Sequence, residues 1–244
     1  MYFYSLFNFL ANQARQNTPH QVKINIMSQT HPISMKVVPD LNTLKAGFPE
    51  IETLLFDMDG TLFDTEKYHT LALQSIGREQ QIRPPIAPVE LHQLMMGKAD
   101  HLLFEIIKDW PGFPSEWDVH TFVNEKNRHL LEVLKITDSK NFFSEKIENL
   151  LKESNKAGIN LGLVTSSEKV ITQELLRMSH STHYFDFILT RDDSLKVKPD
   201  PWPYLEAMKH FNSQNIKTLI FEDSQIGIQA ARSSGAHVIK VEWY

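Results

Sequence analysis

What most constrains this chain is a series of five short apolar runs: Ile51 to Phe56, Ile159 to Val164, Phe185 to Leu189, Ile216 to Phe221 and Ala236 to Val241. They are close to continuously apolar rather than alternating, and β-branched and aromatic residues recur in them. That is the pattern of strands covered on both faces of a parallel sheet. Helical patterns separate the later runs. Ser144 is placed to cap a helix carrying Ile147, Leu150 and Leu151 and closing at Gly158, and Ile171, Leu175 and Met178 mark the next helix. Strands alternating with helices imply right-handed βαβ units and an α/β fold with a doubly wound, Rossmann-like parallel sheet.

The interval between the first two runs is different. It spans roughly 100 residues with no strand pattern, and its apolar residues fall at helical spacing in Leu71 to Ile82, Val89 to Met96, Leu102 to Trp110 and Phe122 to Leu134. The expectation is an all-helical module inserted after the first strand, with these stripes as its core. Residues 11–50, rich in Gln, Asn, Thr, Pro and His, show neither period. Met1 to Leu10 is apolar like the core of a signal peptide, yet no Lys or Arg precedes it and Asn8 interrupts it. A cytoplasmic location is therefore expected, with export as the alternative. No stretch reaches the roughly 18 to 20 apolar residues of a membrane-spanning helix.

Composition narrows the chemistry. The chain has no Cys, which excludes thiol nucleophiles, disulfides and thiolate-held zinc or iron–sulfur clusters. A bound metal must sit on oxygen or imidazole, which favours hard cations such as Mg2+. The net charge of -5 gives no basic footprint for nucleic acid.

Four polar elements follow the apolar runs. The first run ends in Asp57-Met58-Asp59-Gly60-Thr61, two carboxylates two residues apart. Alone this is also an ordinary Asp-Gly turn. The second ends in Thr165-Ser166-Ser167, hydroxyls and free N–H groups that suit either an anion or a helix cap. After the third comes Lys196-Val197-Lys198-Pro199, in which the proline stiffens the backbone that presents Lys198 and Lys196 competes for the same role. The fourth ends in Glu222-Asp223, adjacent carboxylates that need a cation or donors nearby. Open α/β sheets bind ligands outside the strand carboxyl ends, so the four elements converge there. Carboxylates, an ammonium and hydroxyls together match phosphoryl transfer, in which positive charge neutralises phosphoryl oxygens and a carboxylate attacks phosphorus.

In this order Asp57-Met58-Asp59-Gly60-Thr61, Thr165-Ser166, Lys198-Pro199 and Glu222-Asp223-Ser224-Gln225-Ile226-Gly227 resemble the four motifs of the haloacid dehalogenase (HAD)-like hydrolase superfamily. With Phe63-Asp64-Thr65-Glu66 and the helical insert, the chain from about Glu50 to Tyr244 is most similar to the β-phosphoglucomutase-like, small-metabolite phosphatase subgroup with a helical cap. The resemblance implies an α/β core over residues 50–64 and 139–244, a cap over 65–138 and a leader or linker over 1–49. It implies an Mg2+-dependent phosphatase acting on a small phosphate ester, a sugar phosphate or nucleotide-like monophosphate, through an aspartyl-phosphate. Asp57 would be the nucleophile and Asp59 the acid and base. Asp57, the Asp59 backbone carbonyl, Glu222 and Asp223 would hold Mg2+, and Thr165, Ser166 and Lys198 the phosphoryl oxygens. Met95-Met96-Gly97-Lys98 resembles the cap segment that faces substrate, and His69 lies where mutase-like relatives place a histidine near the hinge.

A phosphomutase and a non-catalytic binding protein of the same fold are the alternatives. Asp100 and Leu103 follow Gly97 where the mutase pattern has basic and hydroxyl groups for a second phosphate, which favours the phosphatase. Such relatives usually continue past the last apolar run with another loop and helix, so either a trimmed core or a shortened product is expected.

Overall fold

The computed structural model describes residues 32–95 and 100–244. Six strands, β1 (Ile33–Met35), β2 (Thr53–Phe56), β3 (Asn160–Val164), β4 (Phe187–Leu189), β5 (Thr218–Glu222) and β6 (His237–Val241), form one sheet in the order β1-β6-β5-β2-β3-β4. All the pairings are parallel. Strand β2 lies between β3 and β5, and Phe56 is in register with Leu163 on one side and Phe221 on the other. The residues that follow these three strands therefore emerge together at one edge, where the chain order reverses and a crevice opens.

Around the sheet run α1 (Leu41–Gly47), α6 (Glu145–Lys156), α7 (Lys169–Met178), α8 (Trp202–His210) and α9 (Gln225–Ser233). Leu55, Val164 and Ile220 from three adjacent strands pack with Tyr204 and Ala207 of α8 and with Ala230 and Ala231 of α9. Between β2 and β3 lie α2 (Glu66–Glu79), α3 (Pro88–Met95), α4 (Asp100–Ile107) and α5 (Val119–Lys135). They enclose a second core of Leu73, Ile76, Leu91, Leu103, Ile107 and Phe122. Each such side chain contributes about 1.5 to 3 kcal/mol on burial. The insert thus carries its own apolar centre rather than borrowing the sheet's. Its last helix starts where Asp118 accepts from Thr121 N at 2.8 Å, and α6 starts where Ser144 accepts from Ile147 N at 3.3 Å.

Three expectations need correction or lie beyond the described residues. Residues 33–47, expected within a leader or linker, contribute a strand and a helix: β1 pairs with β6, and α1 begins at Asp40, which accepts from Thr43 N at 2.7 Å, and buries Leu41 and Leu44. Such a short edge strand is made by backbone pairing with β6 and shows too few residues for a period. β5 begins at Thr218 rather than Ile216, because Asn215–Lys217 form a 3-10 turn, and β4 begins at Phe187 rather than Phe185. The apolar segment Met1 to Leu10 and the cap-segment residues Met96, Gly97 and Lys98 lie outside the described residues.

Candidate active site

Asp57 extends β2 by one hydrogen bond, from its N–H to Phe221 O at 3.0 Å. The chain then turns tightly. Met58 O accepts from both Leu62 N and Phe63 N at 2.9 Å, and Gly60 N donates to Phe63 O at 2.7 Å. Gly60 takes φ of 80°, open to glycine at little cost, and a Cβ there would overlap the Asp223 carboxylate. The turn can thus lie directly against the end of β5.

Lys198 reaches into the crevice with 3% of its side chain exposed. Its ammonium donates to Asp57 Oδ1 at 2.5 Å, Glu222 Oε1 at 2.7 Å and Val164 O at 3.0 Å, which uses all three of its protons. Lys196, the competing lysine, instead pairs on the surface with Asp200. Glu222 is fully buried, and both of its oxygens are engaged. Oε1 also accepts from the Tyr204 hydroxyl at 2.7 Å, and Oε2 from Ser224 N and Oγ at 3.3 and 3.1 Å. A Cβ at Gly227, in the first turn of α9, would collide with this carboxylate. Asp223 accepts from Thr61 Oγ1 at 2.9 Å.

Asp59 has separate partners. The Thr65 hydroxyl donates to Oδ1, His69 Nε2 lies 3.2 Å from the same oxygen, and Ser167 Oγ donates to Oδ2 at 2.5 Å. Thr65 sits at the start of α2 and His69 one turn on, so the start of the insert is tied to this carboxylate. Of the hydroxyl run after β3, Thr165 is buried and accepts from Ser167 N at 3.0 Å, while Ser166 is exposed. None of the run caps α7, whose N-cap residue is Glu168.

The structure therefore brings Asp57, Lys198, Glu222 and Asp223 into one cluster and seats Asp59 beside Thr165's loop. Ser167, Thr65 and Thr61 lie in the motifs quoted from the sequence without a role of their own there, and Tyr204 lies outside them. Ser167 and Thr61 stand one and two residues from groups that had one, and that adjacency was an available signal. Tyr204 had none, since nothing in Pro203-Tyr204-Leu205 marks it as a partner for a residue 18 positions away.

Burial pushes the Asp57 carboxyl well above the usual range, Glu222 and Asp223 push it further, and Lys198 opposes them. Asp223 is pushed up to about 7 by burial and by Glu222. Burial also works against the Lys198 charge, but Asp57 and Glu222 outweigh it and hold the ammonium above the normal lysine range. Asp59 goes the other way: burial would raise it, yet His69, Ser167 and Thr65 bring it down to about 2.

This donor set fits a hard cation. Asp57, Glu222 and Asp223 can each offer an oxygen within 4.8 Å of the others. Three carboxylates face one ammonium, and the elevated Asp57 and Asp223 show the excess negative charge that a divalent ion would balance.

Residues 54–241 match the haloacid dehalogenase-like hydrolase family model. A phosphorylated carbohydrates phosphatase from Thermotoga maritima is 29% identical over 203 residues, covering 76% of this chain and 82% of that protein. A phosphoglycolate phosphatase from Nitrosospira multiformis is 29% identical over 199 residues, covering 79% and 84%. Among solved structures, a HAD hydrolase of family IA, variant 3, from Entamoeba histolytica superposes with a TM-score of 0.68 at 26% identity, covering 78% of this chain and 83% of that one. The matched span runs from β2 to β6 and includes every residue of the carboxylate cluster, so the chain belongs to the haloacid dehalogenase-like hydrolase family.

Proposed function

We propose that this protein is an Mg2+-dependent phosphatase that hydrolyses a small phosphorylated metabolite, a sugar phosphate or a related monophosphate, through an aspartyl-phosphate. The observation that carries the reading is the environment of Asp57, a buried carboxylate with one oxygen held by Lys198 and the other not taken by it. Relatives named for phosphorylated carbohydrates and phosphoglycolate support the substrate class.

In this reading Asp57 attacks phosphorus, and Asp59, ionised in the free protein, takes up a proton from solvent as substrate binds, gives it to the leaving oxygen and then serves as base to water. The Thr165 hydroxyl, the Ser166 amide and Lys198, which would exchange one of its three present acceptors for the ligand, hold the phosphoryl oxygens. Asp57, the Asp59 carbonyl and Asp223 would hold Mg2+, with Glu222, whose oxygens already accept four hydrogen bonds, in a supporting position. When bound, Mg2+ would neutralise charge on the phosphoryl group. The helices of 65–138 act as a cap over a core of 50–64 and 139–244, hinged beside Thr65 and at Asn141, whose carbonyl accepts from Lys67 at 3.0 Å.

The test is phosphate release across a panel of sugar phosphates, phosphoglycolate and nucleoside monophosphates. The expected result is release by the wild type that EDTA silences, Mg2+ restores and Asp57→Asn abolishes. No release from any member, or release that survives Asp57→Asn, overturns the reading.

A further inference from the structure

We infer that Trp243 and Tyr244 are positioning residues for the catalytic turn, holding it from behind so that its front face keeps the metal ligands in place. They follow β6, and their side chains reach back across the sheet edge: Trp243 Nε1 donates to Thr61 O and the Tyr244 hydroxyl to Leu62 O, both at 2.9 Å. Thr61 and Leu62 are fully buried, so donors to these carbonyls satisfy groups that are costly to leave bare. The same Thr61 donates through its side chain to Asp223 at 2.9 Å, and Gly60 beside it packs against the Asp223 carboxylate. The contact from the indole to Asp223 thus runs through one residue, Thr61, gripped on opposite sides.

The indole is itself fixed. Its ring lies 6.0 Å from that of Phe221, which stacks on Phe56 at 4.6 Å with 4° between the ring planes. Phe56 and Phe221 each precede a carboxylate of the cluster, so the aromatic column and the two hydrogen bonds register the turn against both strand ends. Loss of either donor frees the turn to shift relative to Asp223, and the Asp59 carbonyl moves with it. The effect falls on the cation site rather than on recognition of the substrate's leaving group, which the cap faces.

This inference rests on the Mg2+-phosphatase reading, and its test separates the two. Trp243→Phe keeps the aromatic contact and removes the N–H, while Tyr244→Phe removes the hydroxyl alone. Mg2+ binding is read by titration calorimetry on the free enzyme, alongside kcat, KM and the melting temperature. Each variant is expected to bind Mg2+ about threefold to tenfold more weakly, the range for one lost neutral hydrogen bond. At limiting Mg2+ its kcat falls by a similar factor with KM unchanged within about twofold, and excess Mg2+ restores kcat. A fold-stabilising contact alone would lower the melting temperature without that split or that rescue. Mg2+ affinity equal to wild type in both single variants overturns the inference while leaving the phosphatase intact. A wild type that binds no Mg2+ overturns both.

Discussion

Replacing Lys198 by Met removes the counter-charge of two buried carboxylates while keeping the length and volume of the stem. The ammonium lies 2.5 Å from Asp57 Oδ1 and 2.7 Å from Glu222 Oε1, with side-chain exposures of 11% and 0% for the two acids. Breaking a buried pair from one side costs about 3 to 5 kcal/mol, because the remaining charge is stranded. For a chain of this size each kcal/mol moves the melting temperature by about 2 to 4 °C, so the metal-free variant should melt roughly 6 to 20 °C below wild type. The sign with pH follows from the acids. Asp57 is already raised by burial, and without Lys198 it rises further. An acid raised in the folded state costs stability as pH climbs from its unfolded pKa toward its folded pKa, with the loss complete above the folded value and absent only below the unfolded one. The deficit should therefore be large at pH 8 and smaller at pH 5, and Mg2+ should recover part of it at pH 8. Calorimetric melts with and without EDTA read all three, and Lys196→Met, which removes an exposed pair, should melt like wild type. A metal-free Lys198→Met protein melting within about 2 °C of wild type at pH 8 would refute the reasoning.

Three further outcomes follow from the same geometry. Tyr204→Phe, which takes one donor from the buried Glu222 carboxylate, should cost about 1.5 to 3 kcal/mol in chemical denaturation, the usual worth of a hydrogen bond to a charged group; an unchanged midpoint would show that Glu222 has found another donor. The stabilisation conferred by Mg2+ should grow as pH rises from about 5 and level off above about 7, because Asp223, pushed up to about 7 in the metal-free protein, must lose its proton to bind a cation; a rise in melting temperature that is flat across this range sinks the assignment of Asp223. Asp59→Asn, incubated with an aryl phosphate whose leaving group needs no proton, should accumulate one phosphoryl group detectable by intact-protein mass, and phosphorylation of Asp57→Asn in its place would reverse the two roles.

The strand ends were readable because burying Leu54, Leu55 and Phe56 beside Leu161, Leu163 and Ile220 demands unbroken apolar runs, and a carboxylate directly after such a run stands out. The helices of the insert were readable for a similar reason, as Leu73, Ile76, Leu103, Ile107 and Phe122 recur at helical spacing, although Leu71, Leu102 and Ile106 of the expected stripes are exposed. Strand β1 was not, since Ile33, Ser34 and Met35 bury one residue among three and depend on pairing with a segment about 200 residues later. Choosing Lys198 over Lys196 needed the loop's path, which sends one ammonium inward to Val164 O and the other out to Asp200. Of the partners of Asp59, His69 and the hydroxyl run containing Ser167 stood out in the sequence, but their direction toward Asp59 did not. Ser167, the last of the hydroxyl run, is 108 positions away, and its direction was set by the backbone leaving β3.

Two carboxylates separated by one residue end in opposite electrostatic states, and the reason lies in which strand ends face each of them. Asp57 points between β3 and β5, where the neighbours are Glu222, Asp223 and a single ammonium, so burial and like charge dominate. Asp59 sits within the turn, toward the start of α2 and the loop after β3, and there it meets hydroxyls and an imidazole. A pair driven apart by its surroundings is the arrangement in which acid–base work and nucleophilic work divide between like groups. In the free protein Asp59 is ionised near neutral pH, the state required of a base toward water, and its three donors also hold the carboxylate at a fixed angle to the crevice. Two of them, Thr65 and His69, belong to the first turn of the inserted helices. On the proposed reading of these helices as a cap, its movement would change the donors around Asp59 directly, whereas Asp57 is held by core strands and by Lys198. On the proposed phosphatase reading, cap closure and proton transfer would thereby be coupled through Asp59, while phosphoryl capture at Asp57 would stay with the core strands.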